Sequence, residues 1–64
     1  MEMNDKDKII EYFKEKGLPK PVTIKLVGYW AYGVQYAVTC GIFRLKKYAV
    51  YFSDGRITSV RFRG

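Results

Sequence analysis

The chain has 64 residues, with 12 Lys and Arg side chains against 6 Asp and Glu, a net charge of +6 and a pI near 9.6. It has no histidine and one cysteine, which excludes a histidine-dependent catalytic pair, an internal disulfide and a cysteine-based zinc site. The length allows one domain, residues 1–64. Because 48% of the residues are hydrophobic and 17% aromatic, we expect a folded chain. We also expect it to need neither a cofactor nor a metal.

Residues 5–16 are predicted to form an N-terminal helix. Asn4 or Asp5 can cap its first turn, and Gly17 followed by Pro19 is typical of a helix end. Three apolar side chains form a narrow stripe along it: Ile9, Ile10 and Phe13. We therefore expect one face of this helix to pack and the rest to be solvated.

Beyond the helix, β-branched and aromatic residues separated by glycines are typical of strands. Gly33 is expected to give the first turn a positive φ, and a bulge at Gly41 to bend the second strand. Four strands are predicted: 22–28, 34–45, 47–52 and 56–62. The pattern predicts an α+β fold, in which the helix covers one face of a four-stranded antiparallel sheet. A sheet curled into a small, partly closed barrel is the alternative.

The last turn, at residues 54–55, has two competing registers. A two-residue loop pairs Val50 with Ser59, whereas a three-residue loop at 53–55 pairs Val50 with Thr58. The three-residue loop is favoured because it separates apolar from polar side chains, and a slip by one residue would exchange the faces. It assigns the following residues to the face that the helix leaves open: Lys47, Ala49, Tyr51, Ile57, Ser59, Arg61 and Arg63.

The positive charge is concentrated in the predicted sheet. Residues 1–18 carry five acidic and four basic side chains, whereas residues 19–64 carry one acidic and eight basic side chains. Lysine and arginine neutralise phosphates, and aromatic rings stack on unpaired bases. We therefore predict a protein that binds DNA or RNA with low sequence specificity. Six side chains are the candidate contacts: Lys25, Lys47, Tyr51, Arg56, Arg61 and Arg63.

Three large aromatic residues, Tyr29, Trp30 and Tyr32, cluster around the first turn. Leaving them exposed to water is costly, so we expect them to cover the open end of the core. The alternative is a contact patch for a partner. Alternation along the strands assigns Tyr36 and Cys40 to the inner face, where we expect a packed phenol and an unreactive thiol.

Two other interpretations of the basic sheet stay open. Exposed basic residues also keep small proteins soluble and discourage edge pairing. The protein could instead be an interaction module, such as a virus- or plasmid-encoded inhibitor or adaptor, that binds an acidic protein or forms a homodimer. Four residues would give the open face its apolar contacts in that case: Val27, Tyr29, Ala37 and Ile57.

Catalysis is not expected. Five of the six carboxylates lie in the helical segment, and the sixth, Asp54, has a structural role in a turn. No acid–base pair can therefore be assigned. The N-terminal residues are too charged for a signal peptide, and no apolar run approaches the roughly 20 residues that span a bilayer. We expect a cytoplasmic protein that does not enter membranes.

Overall fold

The computed structural model describes residues 3–41 and 43–64. One helix precedes four strands: α1 (Asp5–Glu15), β1 (Pro21–Trp30), β2 (Gly33–Cys40), β3 (Lys46–Ser53) and β4 (Arg56–Phe62). The strands form one antiparallel sheet in the order β1-β2-β3-β4. Within the described residues β1 and β4 are its edges, so the sheet is open rather than closed into a barrel. The predicted α+β architecture is confirmed.

The helix begins and ends as its sequence predicts. Asn4 is the N-cap, and its side-chain oxygen accepts a hydrogen bond of 2.8 Å from the backbone N–H of Asp7. At the other end Gly17 has a φ of 70°, and Leu18 donates its N–H to the carbonyl of Phe13 at 2.8 Å. Such a bond satisfies one of the carbonyls that a helix end leaves unpaired.

The hydrophobic core lies between α1 and the two central strands. Seven buried side chains form it: Ile9, Phe13, Val38, Cys40, Tyr48, Val50 and Phe52. The ring of Phe13 meets that of Tyr48 edge to face at 5.3 Å. Two expectations on the helical stripe are confirmed, since Ile9 and Phe13 are fully buried. The third is wrong, because Ile10 is 41% exposed. Leu18, which lies just beyond the predicted stripe, packs against the core.

Two side-chain hydrogen bonds tie α1 to the sheet. The Tyr36 hydroxyl donates to Asp5 Oδ2 at 2.7 Å, and the ammonium group of Lys8 donates to the carbonyl of Gly55 at 2.7 Å. Burial raises the pKa of Tyr36 to about 12, and the hydrogen bond to Asp5 and its nearby charge act in the same direction. The phenol is therefore neutral well above physiological pH.

The second strand is shorter than predicted. β2 ends at Cys40, and the chain turns at Gly41, which has a φ of 92°; a Cβ there would clash with the carbonyl oxygen of Arg44. Phe43 and Arg44 form a bend, so the extension of this strand to residue 45 is wrong. Position 42, within that predicted extension, lies outside the described residues. Gly41 therefore ends the strand, and the predicted bulge at this position is wrong.

The β3–β4 turn has two residues rather than the predicted three. Asp54 and Gly55 have φ values of 54° and 75°, and Ser53 pairs with Arg56 across them. Both central residues are thus left-handed, as the tightest hairpin turns require. The predicted three-residue loop is wrong. By itself, a two-residue loop would place apolar and polar side chains together on each face of β4, which is the reason that the sequence favours the longer loop.

A bulge in β4 restores the faces. Phe52 pairs with Ile57 but Tyr51 pairs with Ser59, which leaves Thr58 as the extra residue. The Thr58 hydroxyl donates to the Tyr51 carbonyl at 3.1 Å. Beyond the bulge, Tyr48 pairs with Phe62 and Val50 with Val60, so the predicted pairing of Val50 with Thr58 is wrong, although Val60 and Phe62 lie on the predicted face. Before it, Ile57 packs on the helix side, so its assignment to the open face is wrong.

Candidate nucleic-acid interface

The face of the sheet turned away from α1 is arranged in four rows that cross all four strands. Starting at the β1–β2 turn, the rows are Trp30, Gly33, Ser53 and Arg56; Gly28, Gln35, Tyr51 and Ser59; Lys25, Ala37, Ala49 and Arg61; and Thr23, Thr39, Lys47 and Arg63. None of these positions holds Asp or Glu. We call this surface the open face.

The open face brings together the five predicted cationic contacts, Lys25, Lys47, Arg56, Arg61 and Arg63, and all five are exposed. Lys47 and Arg63 lie side by side, since the Arg63 N–H donates to the Lys47 carbonyl at 2.6 Å. Like charges on adjacent strands destabilise a sheet. An anion above this end of the sheet would relieve their repulsion.

Small side chains form the floor between the cations. Ala37 and Ala49 separate Lys25 from Arg61 in the third row. Three strand spacings place the backbones of those two cations about 14 Å apart. A shallow groove follows this floor toward the fourth row, where Arg63 and neighbouring side chains line it. An extended ligand can therefore approach the sheet closely between two flanking positive charges.

One end of the open face carries an aromatic cluster, which consists of Trp30, Tyr32 and Tyr51. The Trp30 ring lies 5.2 Å from each of the two tyrosine rings, at interplanar angles of 79° and 69°. Its indole N–H donates to the carbonyl of Phe52 at 2.8 Å. The rings lie outside the hydrophobic core, so the expectation that the first turn covers the core is wrong.

Gly33 has a different role from the predicted one. It does not adopt a positive φ, but a Cβ at this position would clash with the carbonyl oxygen of Phe52. That oxygen is the acceptor for the Trp30 indole. Gly33 thus lets β2 and β3 approach closely at the carbonyl to which the Trp30 indole is hydrogen-bonded.

Tyr29 is separated from the aromatic cluster. It pairs with Val34, and alternation along β1 directs it to the helix side of the sheet, the side opposite Trp30. Its side chain is 83% exposed. The predicted patch of three aromatic residues is therefore split, with Trp30 and Tyr32 on the open face and Tyr29 on the other side.

Sequence reasoning missed the contact between Trp30 and Tyr51, which lie on β1 and β3. A two-residue turn at 31–32 would have revealed it, because this turn places Trp30 opposite Gly33. A glycine facing a tryptophan leaves room for the indole to extend over the neighbouring strand.

Beyond the open face, two kinds of chemically active group are relevant on the described residues: the cysteine thiol and side chains that could bind a metal ion. The Cys40 thiol is fully buried on the inner face, as predicted, and burial raises its pKa, although Lys46 acts in the opposite direction. Residues 3–41 and 43–64 hold no cluster of three or more His, Cys, Asp or Glu side chains that could bind a metal ion. Across these same ranges, no helix combines the length and the apolar character needed to cross a membrane.

Comparison with known proteins gives no relative to guide the interpretation. No protein-family model, no curated protein and no solved structure matches the chain with significant similarity. The open face itself must therefore support any functional assignment.

Proposed function

We propose that the protein binds nucleic acid through the open face, contacting phosphates with its lysine and arginine side chains. The observation that carries the proposal is the segregation of charge. The open face holds five exposed cations and no carboxylate, whereas the acidic residues of α1 lie on the other side of the sheet. Cations that neutralise phosphates release counterions and so supply a favourable, sequence-independent contribution to binding.

Low sequence specificity follows from the side chains that are available. Bases are read mainly by side chains that make paired hydrogen bonds to their edges, such as asparagine and glutamine, or by arginine in the major groove. Gln35 is the one amide side chain on the open face. Its exposed arginines lie on a four-stranded sheet, whereas the elements that fit the major groove are a helix or a two-stranded ribbon. Contacts to phosphates therefore dominate.

The test is fluorescence anisotropy with labelled mixed-sequence DNA and RNA oligonucleotides across a salt series. If five cations each contact a phosphate, log affinity should fall against log salt with a slope of about −4.5 for duplex DNA and about −3.5 for a single strand. The double variant R61A/R63A should flatten these slopes by about 1.8 and about 1.4, and its melting temperature should not change. Absence of binding to every probe at about 50 mM salt would refute the proposal.

A matched control separates the open face from net charge. The double variant K6A/K14A also removes two positive charges, but from exposed positions on α1. We expect it to bind almost as well as the unaltered protein. Equal losses for the two double variants would mean that overall charge, not the open face, attracts the nucleic acid. Unfolding of R61A/R63A would mean that these arginines support the fold.

A second candidate function is protein–protein interaction through β1, including self-association. Four apolar side chains of this edge strand are exposed: Val22, Leu26, Val27 and Tyr29. An edge strand with uncovered apolar residues is a template for pairing with another chain. Sedimentation equilibrium should detect a dimer, which Val27→Lys should dissociate. A monomer at all accessible concentrations would exclude self-association and leave an acidic protein partner as the remaining form of this candidate.

A further inference from the structure

We infer that the nucleic acid taken by the open face is single-stranded and that its unpaired bases stack on the aromatic cluster of Trp30, Tyr32 and Tyr51. The inference rests on the proposed function and adds the strandedness of the ligand. Its first support is position, because the cluster shares a face with the cations and lies outside the hydrophobic core.

The aromatic cluster is ordered before any ligand arrives. The hydrogen bond from the Trp30 indole to the Phe52 carbonyl fixes the central ring, and both tyrosine rings meet it in tilted, edge-to-face contacts. Such contacts are the favoured arrangement of aromatic pairs. A rigid platform loses little conformational entropy on binding, so more of the stacking free energy contributes to affinity.

The outer ring of the cluster is available to a base. Tyr32 is 72% exposed and packs against Trp30, which is partly buried and in turn contacts the partly buried Tyr51. A stacked base would cover apolar surface that the fold leaves in water. Every base has a flat face, so this recognition tolerates any sequence.

The cations lie within reach of a strand whose base is stacked on the cluster. Tyr51 is one row from Arg61 and two rows from Lys47. Two and four residues along a strand correspond to about 7 and about 13 Å. A single strand that leaves the cluster along the floor of Ala37 and Ala49 therefore passes its phosphates between Lys25 and Arg61 in the third row and beside the cations of the fourth row.

A duplex cannot use both parts of this surface. Its bases are paired and stacked on one another, and unstacking a step is costly. It would contact the cations while the aromatic cluster stayed in water. A single strand gains both contributions, and removing a stacking ring weakens single-strand binding by about 5- to 150-fold per base.

The decisive comparison is between two exposed tyrosines on opposite faces. Labelled 20-nucleotide probes of mixed sequence are titrated as single-stranded DNA, single-stranded RNA and duplex DNA at about 50 mM salt. We expect both single strands to bind at least about 5-fold more tightly than the duplex. Tyr32→Ala should remove most of this preference and leave duplex affinity unchanged. Tyr29→Ala, which removes the same ring from the helix side, should change neither.

The one tryptophan of the chain gives a second readout. Bases stacked on the cluster should quench the Trp30 fluorescence when a single strand is added, and a duplex at equal occupancy should not. Equal quenching by both probes, or none by either, would contradict the inference. So would a loss on Tyr29→Ala that equals the loss on Tyr32→Ala.

Failure of the inference is distinguishable from failure of the proposed function. If duplex and single strand bind equally, Tyr32→Ala has no effect and R61A/R63A still weakens both, then the open face binds phosphates without stacking. If no probe binds, the proposed function itself is wrong. Preference for RNA or for DNA among the single strands would identify the sugar that the open face accepts and supports the inference either way.

Discussion

The two faces of the sheet differ in what their side chains contact: one packs against the helix, and the other is open. The helix side encloses the hydrophobic core, in which Phe13 packs edge to face against Tyr48 and every core residue is at least nine-tenths buried. The open face has small side chains, like charges in neighbouring positions and three rings at one end. Burial stabilises the first face, whereas the second gains nothing from its charges in the free protein. Stability and binding can therefore be tested separately, by substitutions on opposite faces.

The largest expected effect comes from opening the core. Phe13→Ala should lower the free energy of unfolding by about 3–5 kcal/mol, because it removes a fully buried ring and leaves a cavity between helix and sheet. The total stability of a chain of 64 residues is about 3–10 kcal/mol, so urea denaturation should show a marginal or unfolded protein. The matched variant on the other face, Arg61→Ala, should change the unfolding free energy by less than about 0.5 kcal/mol. Similar losses in both variants would show that the open face contributes to stability as much as the core does.

A smaller loss of stability is expected at Gly33, which lies against a backbone carbonyl shared by the core and the aromatic cluster. Gly33→Ala would introduce a Cβ that clashes with the Phe52 carbonyl, and this carbonyl belongs to a core residue while it accepts the hydrogen bond from Trp30. Forcing the strands apart should cost about 1–3 kcal/mol. Because the indole would lose its acceptor, the emission spectrum of Trp30 should shift as well.

Ser59→Ala is the control for this glycine variant, since Ser59 lies on the open face and is exposed. It should leave both the urea midpoint and the Trp30 emission unchanged. A stable Gly33→Ala protein with the emission of the unaltered chain would show that β2 and β3 can relax locally. The aromatic cluster would then not depend on the close approach of these strands.

The helix and the order of the strands could be predicted from the sequence because their signals are local. Asn4, Gly17 and Pro19 punctuate the helix, and alternation of apolar residues identifies the strands. The open-face cations could be predicted for the same reason. Successive side chains of a strand point to opposite faces. Each of Lys47, Arg61 and Arg63 is next to an inward-facing residue and therefore lies on the open face. The facing of Val60 and Phe62 was correct although the loop was not.

The β3–β4 loop and the position of Ile57 were predicted wrongly because two local arrangements of the chain bury the same residues of β4. Burial demands a given facing of β4, and either a three-residue loop or a two-residue loop with a later bulge provides it. The sequence around Asp54 and Gly55 suits both, so alternation alone could not separate them. Ile57 was misplaced because it precedes the bulge at Thr58. The aromatic cluster joins β1 to β3, and contacts between distant strands depend on registers that local patterns do not give.

The smallest effect concerns the link between helix and sheet, and it depends on pH. Tyr36→Phe removes the hydrogen bond to Asp5 and should lower the unfolding free energy by about 1 kcal/mol near neutral pH. The pKa of Tyr36 is raised to about 12 from an ordinary 10, first by burial and then by Asp5. The folded protein therefore holds the phenolic proton more tightly than the unfolded chain does.

The sign of the pH dependence follows from that difference. Stability from the neutral phenol is fully present below pH 10 and is lost as the pH rises from 10 towards about 12. Other groups also titrate in this range, so the measurement is the difference in unfolding free energy between the unaltered protein and Tyr36→Phe, which should shrink above pH 10. Tyr32→Phe, which alters an exposed ring on the open face, is the matched control. If the Tyr36→Phe difference stayed constant up to pH 12, the phenol would not be coupled to Asp5, and the helix would be held by its core contacts and the hydrogen bond from Lys8 to Gly55.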